Sequence, residues 1–292
     1  DINPMAYWIV KQEIEHLEID DYRNSVLNLL SKLRDEIGQF YTTNCSFCGS
    51  KSAPVKYFLW VKQYTCAKCE TIFDLFPGYL IAENVRHPNN VIVCHNCGEL
   101  NEVDSLEQLG ECHNCKVTLL IKGPASRSHC KCPNCGFNNK FPNAQQGPPD
   151  HRLFAIEYHC PNCSKAHKGR FFKKPDNDDL SKLNDIEIRY ATLSPNYIPT
   201  EEIPPGDETD RLLRWGYRHY REMFNKRQLL GLELSCQLIT QNNDPRIRNA
   251  LATNLSDLIR YQNMLCRYDT MALKSLDIFS VHGFPVGLIQ CE

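Results

Sequence analysis

Apolar positions recur along this chain with helical spacing at both ends and with strand spacing between them. Asn3 and Pro4 form an N-cap and first-turn pair, which predicts a helix from Pro4 to about Leu17. Tyr22, Val26, Leu29, Leu30, Leu33 and Ile37 follow at steps of one to four residues. They predict a second helix from Asp20 to Ile37, closed by Gly38. Val55 to Tyr64 has period two: Lys56, Phe58, Trp60 and Lys62 alternate with Tyr57, Leu59 and Val61, a strand with two unlike faces. Asp185 to Thr192 also reads as a strand. Later, a long helix is predicted from about Glu208 to Thr240, interrupted near Phe224-Asn225. Arg211, Arg214, Arg218 and Arg221 would form one basic stripe on it. Asp244 and Pro245 begin a further helix, to about Tyr268, with Leu251, Leu255, Leu258, Ile259 and Cys266 on its apolar face.

Six Cys-x-x-Cys knuckles dominate the middle: Cys45/Cys48, Cys66/Cys69, Cys94/Cys97, Cys112/Cys115, Cys132/Cys135 and Cys160/Cys163. Taken consecutively they make three pairs with internal gaps of 17, 14 and 24 residues, the spacing of zinc ribbons. Zn²⁺ takes four thiolates at about 2.3 Å in a tetrahedron, and two cysteines three positions apart on a tight turn reach one ion from the same side. Gly49, Gly98 and Gly136 follow second ligands, where a left-handed backbone is commonly needed. Tandem knuckles in a chain without secretory features fit metal better than a disulfide framework, and redox Cys-x-x-Cys motifs come singly. Cys236 and Cys266 read as buried small apolar residues, and Cys130 as a spare beside a ligand.

The 292 residues are enough for about two domains, and no apolar run is long enough for a membrane span. Sixteen cysteines in such a chain place it in a reducing, cytoplasmic compartment. A net charge of −2 excludes a uniformly basic nucleic-acid binder, but the charge is unevenly placed. The 94–121 stretch sets Glu99, Glu102, Asp104, Glu107 and Glu111 against Lys116. The 122–174 stretch carries a net +8. There His167 to Lys174 interleaves Lys168, Arg170, Lys173 and Lys174 with aromatic residues, the composition of a nucleic-acid strip or of a solvated face.

The opening DINPMAYWIVKQEIE resembles the segment after the glycine-rich motif in S-adenosylmethionine-dependent DNA amino-methyltransferases. It is most similar to predicted adenine-specific DNA methylases that carry zinc-ribbon insertions. RWGYRHYREMFNKRQLLGLELSCQLI, LATNLSDLIRYQNMLCRYD and DIFSVHGFPVGLIQCE, near the other end, resemble the same family. The resemblance implies that Asp1 binds the ribose hydroxyls of the cofactor and that Ile2 lies against its adenine. It implies methyl transfer to an exocyclic base amine, adenine N6 foremost, on a base flipped from duplex DNA. The metal, about three zinc ions, is then structural. Neither the glycine-rich loop nor an Asp/Asn-Pro-Pro-Tyr motif occurs in these residues. Ser194-Pro195-Asn196-Tyr197 is only a superficial counterpart, lacking the second proline.

The expected fold is therefore α+β, an internal portion of a Rossmann-like methyltransferase domain. Residues 1–43 would be cofactor-domain helices, 44–93, 94–121 and 122–174 three zinc ribbons, 175–207 a linker with a short strand, and 208–292 a helical segment leading back to the core. The expected partners are double-stranded DNA and the rest of the methyltransferase. Two readings from other classes stand beside it: a non-catalytic nucleic-acid adaptor, and a scaffold whose acidic middle ribbon docks protein.

Overall fold

A computed structural model describes residues 3–163 and 166–292, without the side chains of residues 166 and 168. Asp1 and Ile2, matched to the cofactor site, lie outside the described residues. The architecture is mixed α+β around a curled antiparallel sheet.

Two strands form its axis. β2 (Ala53–Thr65) runs antiparallel to β9 (His151–Tyr158), paired from Val55 opposite Tyr158 to Lys62 opposite His151, with register shifts between Val55 and Tyr57 and between Leu59 and Trp60. β1 (Thr42–Thr43), β13 (Ile289–Cys291) and β3 (Ile72–Asp74) meet β2 at its beginning, middle and end, and β10 (Phe171–Lys173) pairs with β9. Both faces of the axis are covered. Leu59 and Val61 point into one apolar cluster with Phe76, Ile92 and Phe154, while Phe58 and Trp60 point into another with Leu153, Ile156 and Phe171. The alternation in β2 is therefore between two cores, not between core and solvent. Lys62, a charged residue at the end of this strand, is fully buried, its Nζ 2.8 Å from His151 Nε2.

Between β2 and β9 the chain makes an insertion. It contains the three-stranded sheet of β4 (Leu80–Ala82), β5 (Asn90–Val93) and β6 (Leu100–Val103), then the hairpin of β7 (His129–Lys131) and β8 (Asn138–Lys140). Every strand pair among the described residues is antiparallel. A Rossmann-like sheet needs parallel strands joined by crossover helices, and no such unit occurs among those residues.

Helices α1 (Pro4–Ile14) and α2 (Ile19–Ile37) form near where the sequence puts them, and Asn3 caps the first by accepting from the Met5 N–H at 2.9 Å. They pack against α5 (Lys226–Thr240) and α6 (Pro245–Ile259). The expected strand at 185–192 is instead the second half of helix α3 (Asn177–Ala191). Its capping box, Asp176 with Asp179, starts a helix whose inward face carries Leu183, Ile186 and Tyr190.

Of the expected helix from Glu208 to Thr240, the part after the interruption at Phe224-Asn225 forms as α5, capped by Asn225, but the part before it does not. α4 (Asp210–Arg214) is one turn, followed by Gly216 at φ +87°, where a Cβ would lie 2.4 Å from the Gly147 carbonyl carbon. The arginine stripe dissolves with it. Arg211 donates to the Phe284 carbonyl, Arg214 pairs with Asp210, and Arg218 donates to the Leu213 and Tyr217 carbonyls. α6 likewise ends at Ile259, well short of Tyr268, where Asn263 donates to the Ile259 carbonyl. The following chain forms a hairpin of β11 (Arg267–Asp269) and β12 (Lys274–Leu276) before returning as β13.

A buried ion pair ties helices to sheet. Glu292, just past β13, accepts from Arg227 Nε at 2.7 Å and Nη2 at 2.6 Å, from Trp60 Nε1 at 3.1 Å and from Asn225 Nδ2 at 2.6 Å. The Arg227 guanidinium also lies 3.4 Å from the Phe58 ring centre. A buried charge pair persists only when its remaining hydrogen-bonding capacity is met, as it is here.

Candidate metal centres

The antiparallel axis decides which knuckles meet. Strands running in opposite directions bring the start of β2 beside the end of β9, and the end of β2 beside the start of β9. The knuckles flanking these strands therefore pair across the axis. Cys45 and Cys48 join Cys160 and Cys163 at one end, the first centre. Cys66 and Cys69 join Cys132 and Cys135 at the other, the second centre. Only Cys94, Cys97, Cys112 and Cys115, the third centre, pair consecutively, within the insertion. The centres are nested rather than tandem, so the expected ribbons at 44–93 and 122–174 do not exist as separate units. All twelve expected ligands nevertheless fall in three sets of four, and each set could hold zinc.

The sulfur geometry fits a tetrahedral ion. Cys48–Cys160 and Cys94–Cys115 are 3.6 Å apart, and Cys66–Cys135, Cys69–Cys132 and Cys97–Cys112 are 3.7 Å apart. A tetrahedron of sulfurs about 2.3 Å from zinc has edges of about 3.8 Å. A disulfide would need about 2.05 Å.

Local chain geometry makes each knuckle. In five of the six, the first cysteine N–H donates to the carbonyl five residues on, and its carbonyl accepts from the N–H four residues on. The residue at that fourth step is left-handed: Gly49, Glu70, Gly98, Lys116 and Gly136, with φ between +58° and +74°. Three are the glycines read from the sequence. Glu70 and Lys116 adopt the same strained turn without glycine's freedom.

A second layer was not anticipated. Asn139 donates from Nδ2 to Cys66 Sγ at 3.6 Å and to the Phe137 carbonyl, and accepts at Oδ1 from the Ala67 N–H at 2.9 Å. Asn101 repeats this in the third centre. Its Nδ2 donates to Cys112 Sγ and the Glu99 carbonyl, and its Oδ1 accepts from the His113 N–H. In the first centre the Tyr158 hydroxyl takes the role, donating to Cys45 Sγ at 3.6 Å and accepting from the Ser46 N–H at 3.1 Å. Each strut joins one knuckle to the sulfur and the next N–H of the other, and such contacts orient ligands and tune metal affinity. The signal in the sequence is Cys-x-Asn-Cys-Gly-x-x-Asn, present at 94–101 and again at 132–139.

The thiols do not titrate alike. Burial works against ionisation of Cys45, but hydrogen bonds from the Cys48 N–H, the Tyr158 hydroxyl and the Phe47 N–H prevail and bring it down to about 6. Hydrogen bonds from the Thr71 hydroxyl and N–H bring Cys69 to about 6 as well. Burial pushes Cys94 up to about 12, its neighbours Cys115 and Cys112 adding to the shift. Four thiolates crowded at contact distance repel one another, so a divalent cation is what would let all four ionise together.

The expected nucleic-acid strip is mostly committed elsewhere. Arg170 Nη1 lies 3.0 Å from Glu157 Oε1 and 3.1 Å from the Leu273 carbonyl. Lys173 is buried, 2.5 Å from Asp176 and 2.9 Å from Asp179. Lys174 Nζ donates to the Cys97 carbonyl at 2.6 Å, and the Lys168 side chain lies outside the described residues. Arg221 is exposed at the surface.

Four exposed cations lie on the two segments of the second centre. Lys68 sits in its first knuckle, Lys131 precedes Cys132, and Arg127 and Lys140 flank the β7–β8 hairpin. None of the four makes an ion pair among the described residues. A cleft of about 800 Å³ between the second and third centres is lined by Lys131, Arg152, Lys174, His95 and Asn96.

The Ser194–Tyr197 segment is a structural bend: the Asn196 and Tyr197 N–H groups donate to the two carboxylate oxygens of buried Glu233. No helix is long and apolar enough to cross a membrane. No protein-family model matches the chain, and no curated protein or solved structure matches it either.

Proposed function

We propose that this chain is a zinc-held recognition module that grips duplex DNA with the second metal centre and the adjoining cleft. The observation that supports this reading is the set Lys68, Arg127, Lys131 and Lys140, exposed and without ion pairs among the described residues, carried on the first knuckle and the β7–β8 hairpin that the four cysteines of the second centre bring together. Phosphate contacts need cations free of internal partners on a preorganised surface.

The larger activity follows from the resemblance. The module would serve a site-specific, adenine-directed DNA methyltransferase, in a restriction-modification setting, that moves methyl from S-adenosylmethionine to an exocyclic amine. Its Rossmann-like cofactor domain would be supplied by other parts of the protein. On this reading the present chain alone transfers no methyl group to DNA. A second reading, protein docking, is favoured by an apolar groove of about 670 Å³ lined by Trp8, Ile9, Met223, Phe224, Phe279 and Phe284.

Titration of duplex DNA at several salt concentrations tests the first reading. Replacing Lys68, Arg127, Lys131 and Lys140 with alanine should flatten the salt dependence, by roughly 0.9 in slope for each phosphate no longer neutralised, with zinc retained. An unchanged slope would show that this surface merely faces water. Absence of any DNA binding by the wild type would favour docking.

A further inference from the structure

We propose a fourth metal site, of different chemistry, in which His87, Glu102 and His167 hold a zinc ion. One ligand atom from each lies within 4.8 Å of the other two. Three separate segments supply them: the loop between β4 and β5, strand β6 of the inserted sheet, and the turn after the first centre.

The supporting groups are those a metal site needs. Asn89 orients two of the ligands. Its carbonyl oxygen lies 2.8 Å from His87 Nδ1, and its Nδ2 donates to Glu102 Oε2 at 2.7 Å. With the His87 Nδ1–H given to that carbonyl, Nε2 carries the lone pair, the tautomer a metal-bound histidine adopts when its other nitrogen is tied to a backbone oxygen. His167 Nε2 lies 3.1 Å from Glu102 Oε1. Nitrogen and oxygen ligands about 2.05 Å from a tetrahedral zinc would be about 3.3 Å apart.

His167 is also held under strain, at φ +47° without a glycine's freedom. Its ring stacks on His87 with centres 5.2 Å apart, and its Nδ1 is buried with no hydrogen bond among the described residues. Two imidazoles and a carboxylate suit a borderline ion such as zinc, and three protein ligands leave a fourth position for water. The site would fasten the inserted sheet to the turn after Cys163, two parts not joined by any of the tetracysteine centres.

Zinc content of the purified chain, dialysed against micromolar free Zn²⁺, tests the proposal. The expected result is four ions per chain, one of them exchanging at least tenfold faster than the other three. Glu102→Gln keeps the side chain's size and its contact with Asn89, and His167→Ala alters a partly exposed turn. Each should lower the count to three and leave the twelve thiols protected from alkylation. Cobalt substitution gives an independent readout: one of four cobalt ions should lack thiolate charge-transfer absorption, and that ion should be absent from both variants. Three zinc ions in the wild type, or four in both variants, would overturn the proposal and leave the histidines as a stacked pair beside a carboxylate.

Discussion

Removing the amide of Asn139 should weaken the second metal centre alone. The side chain is 1% exposed, and Asn139→Ala deletes the bond to Cys66 Sγ, the bond to the Phe137 carbonyl and the acceptor of the Ala67 N–H. Stranding a partly buried N–H costs about 1–3 kcal/mol. Loss of a group that orients a ligand typically costs 10–100-fold in metal affinity, or about 1.4–2.7 kcal/mol. The zinc at Cys66, Cys69, Cys132 and Cys135 should therefore bind roughly 10–100-fold more weakly, while the other centres keep their affinity. Alkylation during titration with a chelator, followed by peptide mass analysis, reads out which cysteines lose protection first. In Asn139→Ala these four should lead. Asn101→Ala should move the lead to Cys94, Cys97, Cys112 and Cys115. Tyr158→Phe should move it to Cys45, Cys48, Cys160 and Cys163. An unchanged order of release in all three variants, or equal weakening of every centre, would refute the argument that each strut serves its own ion.

Two other outcomes follow from the axis. Cys48→Ser should release one zinc and expose Cys160 and Cys163 to alkylation while Cys66 and Cys69 stay protected; exposure of Cys66 and Cys69 would mean that the knuckles pair consecutively. Burial pushes the Lys62 ammonium down from 10.5 to about 7. Between those values the unfolded chain holds a proton that the folded chain lacks, so Lys62 makes stability rise with pH, by up to about 1.4 kcal/mol per unit, and its full cost persists below the window. Urea midpoints of Lys62→Met, compared with wild type from pH 6 to 9.5, should show a gain that is largest at the acid end and shrinks through the window. A pH-independent difference would rule out a titrating Lys62.

The metal ligands were legible because a knuckle is local: two cysteines, a tight turn and a left-handed residue within five positions. Their pairing was not, except at Cys94–Cys115, where a short hairpin leaves little choice. Elsewhere the partner is set by β2–β9 pairing, and residues as far apart as Cys48 and Cys160 meet because of contacts made by Val55 to Lys62. Helices α1 and α2 were legible from caps and period. The strand reading of 185–192 failed because Ile186, Ile188 and Tyr190 alternate as a strand would, yet in the helix only Ile186 and Tyr190 face inward while Ile188 is exposed, and the capping box at Asp176 that settles the matter lies nine residues upstream. The arginine stripe failed for a related reason. Its spacing has meaning only on a continuous helix, and Gly216 turns the chain where no side chain would fit.

Nesting also orders the birth of the molecule on the ribosome. The third centre spans 15 residues between its facing cysteines, the second 63 and the first 112. Each inner closure shortens the chain that the next must span. With the second centre already clasped, the outermost loop falls from 112 to an effective 49 residues (112 less 63), which lowers its closure cost by about 0.7 kcal/mol. More consequential is timing. Cys45 and Cys48 emerge first and find their partners last, so their thiolates must wait through synthesis of more than a hundred residues. Nascent chains arrested before Cys160 should carry the inner two ions and leave this first pair open to capture by any competing thiol or metal.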